Sequence, residues 1–373
     1  MRVFSGSSAS LLVGGFLVNV GTFAVYPYLA VVLRDRLGVG MAEVGVVLGA
    51  AMLVQFASAP VTAAVAERIG LKRALTGATV LYALGAVAYL TGPVVLGLFL
   101  SCGAGALYSP AYRGYLAHSA TPEQRPRLVS AGNAASNLGI AVGPVVGAVF
   151  LHDPTRLFSM TSVLYATLLV GHAFLRAEAP TERSEPVRRV LRGLARTPFA
   201  VTVVTHYIYM QFYQYLSVFV DGRLPTTGYG VIMMGYSLGL AVVQPLVATR
   251  VGRLGYPVAL AVGFSCLALG MLAFAGGTVV TIAVGVAAIS AGTAVLFLKN
   301  DLEALAQSTR SATVTFGQQR LAAGLGAFLS GVLGGAVYGW LAAAGVEPAF
   351  WLVVAVQCAV LPLLVLRLAS RRP

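Results

Sequence analysis

Apolar runs of about 20 residues recur along this chain, and the charged residues lie almost wholly between them. No other feature constrains the fold as much, because about 20 apolar residues wound as a helix match the hydrocarbon thickness of a bilayer. A backbone in lipid must also satisfy its own hydrogen bonds, which leaves helices as the economical reading of such runs. Hydrophobic residues make up 58% and charged residues 10% of the 373, against about 25% charged in soluble domains. A soluble fold is excluded.

The net charge of +13 raises nucleic acid as a partner, but the basic residues collect in alternate loops, as in a polytopic membrane protein. With the N-terminus inside, Arg34, Arg36, Arg156 and Arg223 are the only basic residues outside, and the other 21 of 25 lie on the inner side. Both termini are therefore expected in the cytoplasm, with no nucleic-acid partner. The first run, 11–33, is too long for a cleaved leader and reads as a retained span. Arginine far exceeds lysine (only Lys72 and Lys299) and glycine reaches 43, a bias that suggests a GC-rich bacterium and its cytoplasmic membrane. Cys102, Cys266 and Cys358 fall inside apolar runs without short spacing, so neither a metal site nor a disulfide framework is expected.

The segment 61–73 packs Glu67, Arg68, Gly70, Lys72 and Arg73 between two apolar runs. Lipid would not tolerate that charge, so the segment is a turn at a membrane face. Pro60, Arg68 and Gly70 recur as Pro245, Arg253 and Gly255, each 185 positions later. The chain thus reads as two copies of one unit, an organisation common in transporters, with the substrate site at the repeat interface. The expected spans are 11–33, 44–66, 74–90, 94–114, 128–151 and 157–175, then 199–220, 229–249, 256–275, 278–298, 314–341 and 349–366. An arginine-rich stretch, 177–197, separates the sets and reads as a cytoplasmic linker with amphipathic character. The expected fold is an all-α membrane protein of twelve transmembrane helices in two pseudo-symmetric six-helix bundles, 1–176 and 198–373.

Four sets of residues carry candidate chemistry. At the turn, Glu67 at a helix end can bond an arginine across the junction while Gly70 permits the tight bend. Glu67, Arg68, Gly70 and Arg73 then form a conformational latch, or else a fixed topology anchor. In the fifth span, Gly139, Gly143 and Gly147 line one helix face for close backbone approach, and Pro144 removes a backbone donor. Gly326, Ser330, Gly331, Gly334 and Gly335 form a looser copy in the eleventh span. In the seventh, His206, Tyr209, Met210, Tyr213 and Ser217 fall along one side. Met and aromatic side chains suit varied apolar ligands, and polar groups within a span, such as His206, Gln211 and Gln214, tend to face a cavity. These are candidate substrate contacts with Tyr26 and Tyr28 as companions; ordinary packing or an interfacial aromatic belt is the competing reading. Asp301, Glu303, His206 and Arg113 are candidate proton-coupling groups, with Lys299 and Glu303 expected to pair four residues apart.

The turn Ala63-x-x-x-Glu67-Arg68-x-Gly70-Leu71-Lys72-Arg73 resembles the loop signature G-x-x-x-D-R-x-G-R-[KR] of the major facilitator superfamily. It departs at Ala63, Glu67 and Leu71. Gly143-Pro144-x-x-Gly147 resembles the span-five signature of that family's drug/proton antiporter branch. The branch's span-four signature R-x-x-Q-G is absent, and the first span carries Asn19 but no acid. The resemblance covers the whole chain and implies alternating access, protons as coupling ion, and spans one, four, seven and ten around a cavity shared by Arg113, His206 and Asp301. The implied activity is multidrug-type efflux of a small, largely apolar compound by a monomer. Uptake of a nutrient with protons, and a transport-inactive receptor or scaffold, are the alternatives. No nucleotide-binding loop, cofactor motif or enzyme constellation is present.

Overall fold

The computed structural model describes residues 6–118, 125–150, 153–175, 192–309 and 312–370. Most of the expected linker 177–197 lies outside the described residues. Among those described there is no strand. Helix follows helix: α1 (Gly6–Val25), a 3-10 turn Tyr26–Tyr28, α2 (Leu29–Leu37), α3 (Met41–Ala57), α4 (Ala59–Ile69), α5 (Leu71–Thr91), α6 (Val94–His118), α7 (Arg125–Phe150) and α8 (Pro154–Ala173). Then come α9 (Arg196–Val220), α10 (Thr226–Arg253), α11 (Tyr256–Phe274), α12 (Val279–Gln307), α13 (Ala312–Leu329), a π-turn Ser330–Gly334, α14 (Gly335–Ala343) and α15 (Pro348–Ser370). Nine of the described helical spans are long and apolar enough to cross a membrane, and the pair α3 and α4, bent by 49°, makes a tenth. With α8 and α9, 20 and 25 residues long, this gives the twelve expected rods.

The first two rods are interrupted. Pro27 has no N–H to donate back along the helix, and its ring disfavours helical geometry in Tyr26, so the 3-10 turn falls at Tyr26–Tyr28. In the second rod the break comes at Ser58, and Pro60 stands in the first turn of α4, where its missing donor is harmless. Between the breaks, α2 ends on Gly38 in the left-handed conformation (φ 64), with its N–H on the Arg34 carbonyl.

The described chain forms two compact units, Met1–Tyr26 with Ser58–Arg189, and Pro27–Ala57 with Val190–Pro373. The hairpin between the two helix breaks thus packs with the second half of the chain, against α9, α13, the π-turn and α14. In the first unit α1 lies along α7. A β-carbon on Gly139 would strike the Phe16 carbonyl, and one on Gly143 would stand 2.7 Å from Phe23 Cβ. The glycine face of α7 is therefore a packing surface for α1, and α7 stays helical through Pro144. Gly147 is buried.

The second unit contains a closer crossing. Gly45 and Gly49 of α3 face Gly331 within the π-turn and Gly335 just after it, and a β-carbon on Gly45 would strike the Gly331 carbonyl. The same carbonyl accepts a hydrogen bond from Tyr215 Oη at 3.0 Å. Both lysines of the chain cap helix C-termini, where carbonyls lack helical partners and the dipole favours a cation. Lys72 Nζ donates to the Ala173 carbonyl of α8 at 2.9 Å, and Lys299 Nζ to the Leu254 carbonyl at the end of α10 at 2.7 Å.

Candidate functional site

Helix α9 is lined by aromatic and polar residues at helical spacing, and the second unit assembles them into one cluster. Tyr209 is its hub, with ring centroids 5.9 Å from Tyr213, 6.1 Å from Tyr236 of α10 and 5.4 Å, edge-on, from Phe297 of α12. His206 stacks on Phe297 at 5.0 Å. Its Nδ1 lies 3.1 Å from the Thr202 carbonyl, an acceptor only, so Nδ1 carries the proton and Nε2 is left as the second ring nitrogen. Phe212 extends the cluster to Tyr236 at 5.3 Å and to Phe274 of α11 at 5.8 Å. Offset and edge-to-face rings at these separations attract beyond their area burial, which makes the cluster a stiff wall. Met210 is buried beside it.

Gln214, next to Tyr213, is 4% exposed, and neither its Oε1 nor its Nε2 has a hydrogen-bond partner; the Tyr213 hydroxyl has none either. A buried amide left without partners is expensive.

Tyr26 belongs to the first unit. Its hydroxyl lies 3.6 Å from Cys102 Sγ. It lines a cavity of about 10 Å³ together with Thr22, Tyr89, Ser101, Thr161 and Tyr165, room for about one water.

The expected ion pair between Lys299 and Glu303 is not formed. Lys299 is drawn to the end of α10, and Glu303 accepts from Gln307 Nε2 at 2.9 Å. A buried ammonium gains more from a helix C-terminal carbonyl than from an acid one turn along its own helix. Between them, Asn300 accepts from Tyr256 Oη at 2.9 Å and donates to Thr205 Oγ1 at 3.3 Å. Asp301 is half-buried on α12, and Arg113 is exposed on α6 in the first unit.

At the charged turn, Glu67, Arg68 and Arg73 are exposed, and among the described residues none of them enters an ion pair. Gly70 adopts φ 91 and ψ 139, a conformation open essentially to glycine. The charge contact absent from sequence reasoning lies at the end of α2. Arg34 Nη2 meets Asp221 Oδ2 at 2.8 Å, and Arg34 Nε meets Asp35 Oδ1 at 2.9 Å. Arg223 stands over the Phe219 ring at 4.2 Å and reaches Glu347 at 3.5 Å. Arg34 and Asp221 are 187 positions apart, nearly the repeat offset, so corresponding ends of spans one and seven meet. That spacing was the available signal.

Comparison with known proteins fits this architecture. A solved nucleoside transporter, NupG, superposes with a TM-score of 0.78 at 13% identity, covering 99% of this chain and all of the other. A POT family transporter in complex with 5-aminolevulinic acid gives 0.78 at 12%, covering 98% and 96%. Both likenesses concern the fold. Among curated sequences, the uncharacterized MFS-type transporter Rv0849 of Mycobacterium tuberculosis H37Rv is 30% identical over 195 residues, 49% of this chain and 46% of that protein. The multidrug resistance protein MdtH of Salmonella arizonae is 27% identical over 221 residues, 58% of this chain and 54% of that protein. These matches span about half the length of the relatives. The family model described as Major Facilitator Superfamily matches residues 11–317, and the chain therefore belongs to that superfamily of multi-pass membrane transporters.

Proposed function

We propose that the protein is a proton-coupled exporter of small, largely apolar organic compounds, working by alternating access in the bacterial cytoplasmic membrane. The carrying observation is the aromatic wall on α9, in which His206, Tyr209 and Tyr213 meet Tyr236 and Phe297 without an ion pair among them. Such a wall suits apolar ligands of varied shape. The name of the MdtH relative, multidrug resistance protein, supports the same direction. In this reading the protein acts as a monomer with both termini cytoplasmic, and its halves, 1–176 and 198–373, are joined by the linker 177–197. The turn at Glu67, Arg68, Gly70 and Arg73 and the glycine face at Gly139, Gly143, Pro144 and Gly147 are the moving joints.

Asp301 is the proton carrier of choice. Glu303 is engaged by Gln307, and His206 has one ring nitrogen committed to a backbone carbonyl. Arg113 is kept as a further candidate for proton coupling. In proteoliposomes, Asp301→Asn is expected to abolish accumulation against a gradient while preserving downhill exchange. Accumulation by that variant under a proton-motive force would overturn the assignment. Proton uptake on ligand addition, in place of release, would replace export by symport.

A further inference from the structure

Among the described residues of the second unit four glutamines are buried, and three are satisfied. Gln211 donates to Gln357 Oε1 at 3.0 Å, Gln319 accepts from Thr202 Oγ1, and Gln318 donates to the Arg192 carbonyl at 3.2 Å. Gln214 is 4% exposed and bonds through neither amide atom. It follows Tyr213, whose hydroxyl is also unpartnered, and lies one helical turn from Met210 beside the aromatic wall. A buried group without a partner calls for an explanation, and this one offers a donor and an acceptor held side by side in a plane.

We infer that Gln214 is the polar selector of the site, and that the compounds taken are flat, neutral ring systems with a hydrogen-bond donor adjacent to an acceptor on one edge, as in a lactam. The inference rests on the reading of the α9 wall as the substrate surface. Tyr209 and Tyr213 supply ring faces for stacking, while the Gln214 amide closes two parallel hydrogen bonds with the lactam edge. A glutamine amide makes the same two-point match to an adenine edge. Charge is not asked of the ligand, since the buried ammonium of this unit, Lys299, is taken by the Leu254 carbonyl. A site built around such a pair rejects a compound that lacks it, because the protein groups are then buried unpaired.

The test uses three bicyclic probes of similar shape: carbostyril, which has a lactam edge, N-methylcarbostyril, which has lost the donor, and naphthalene, which has neither group. Binding to the purified full-length protein is measured by fluorescence for wild type, Gln214→Leu and Tyr209→Ala. Carbostyril should bind wild type about tenfold or more tighter than its N-methyl form, the loss expected from one broken pair. Gln214→Leu should erase that preference while retaining naphthalene, and should not lower thermal stability, since an unpaired amide is replaced by an apolar group of similar size. Tyr209→Ala should weaken all three. A preference that survives Gln214→Leu overturns the selector role and leaves the wall standing. Loss of stability in Gln214→Leu with unchanged binding identifies a structural amide satisfied by buried water, which also overturns it. If Tyr209→Ala changes nothing, or wild type binds none of the three, the wall itself is not the substrate surface and the inference falls with it.

Discussion

The first two spans and their counterparts in the second repeat have taken different forms. Spans one and two are interrupted, at Tyr26–Tyr28 and at Ser58, whereas α9 and α10 run unbroken for 25 and 28 residues. Pro27 has Phe212 at the equivalent position, which accounts for the first difference. Proline stands at both 60 and 245, yet α10 continues across position 245, so a proline permits a break without dictating one. The two breaks also delimit the hairpin that joins the second compact unit. Duplication thus preserved the spacing of the charged turn and the number of rods but not backbone continuity. The asymmetry hands a piece of the first repeat to the second.

The largest effect should come from the glycine crossing. Gly45→Val adds bulk where a β-carbon already strikes the Gly331 carbonyl, and overpacking of this kind costs about 1–3 kcal/mol. The hairpin should leave its seat, shifting the conformational balance by roughly one to two decades. A cysteine at Ala42 should then become reactive to an impermeant thiol reagent. Unchanged labelling would mean that the hairpin does not depend on this crossing.

The paired junctions give a sharper contrast. Gly70→Ala forces a side chain into φ 91 and should destabilise by about 1–3 kcal/mol. Gly255→Ala, at φ −60 with nothing within 4 Å of its β-carbon, should change stability by no more than about 0.5 kcal/mol. Equal thermal shifts for the two variants would mean that the junctions are equivalent after all.

The smallest effect belongs to the ion pair. Arg34 and Asp221 have side chains 33% and 35% exposed, and pairs of that kind contribute about 0.2–1 kcal/mol. Arg34→Ala should shift transport only a few-fold, and less in high salt. Exchange of the two charges should restore most of the loss. A tenfold loss that the exchange fails to repair would assign Arg34 a role outside the pair.

Most of the architecture was legible because its cause is local. Most spans are written in about 20 largely apolar residues, and many of the loops in the charges that lipid excludes. The α9 cluster was half legible: helical spacing put His206, Tyr209 and Tyr213 on one side, but nothing local pointed to Phe297 or Tyr236. The fate of residues 27–57 was not legible, since apolar helices carry no address for their partners and the selecting contacts are glycine backbones about 290 positions apart. Lys299 misled because an acid four residues on is visible in sequence, while the free carbonyl at the end of α10 is made by the fold. Gln214 shows the same limit from the other side. Its residue type is visible in the sequence, but its lack of partners exists only once Gln211, Gln318 and Gln319 have found theirs.

The crossing of Gly45 with Gly331 has a genetic consequence. Every single-base missense change in a glycine codon introduces a β-carbon, and there the obstacle is a backbone carbonyl, which no rotamer change can move aside. Compensation by a second mutation is closed as well, because the opposing residue is already glycine and has nothing left to remove. A saturation scan scored for transport should therefore find these positions intolerant as a pair, without suppressors at each other. Neighbours such as Val46, exposed at 47%, should accept most apolar exchanges. The tolerance profile along α3 would then trace the seam as a period of about four residues, readable from growth alone.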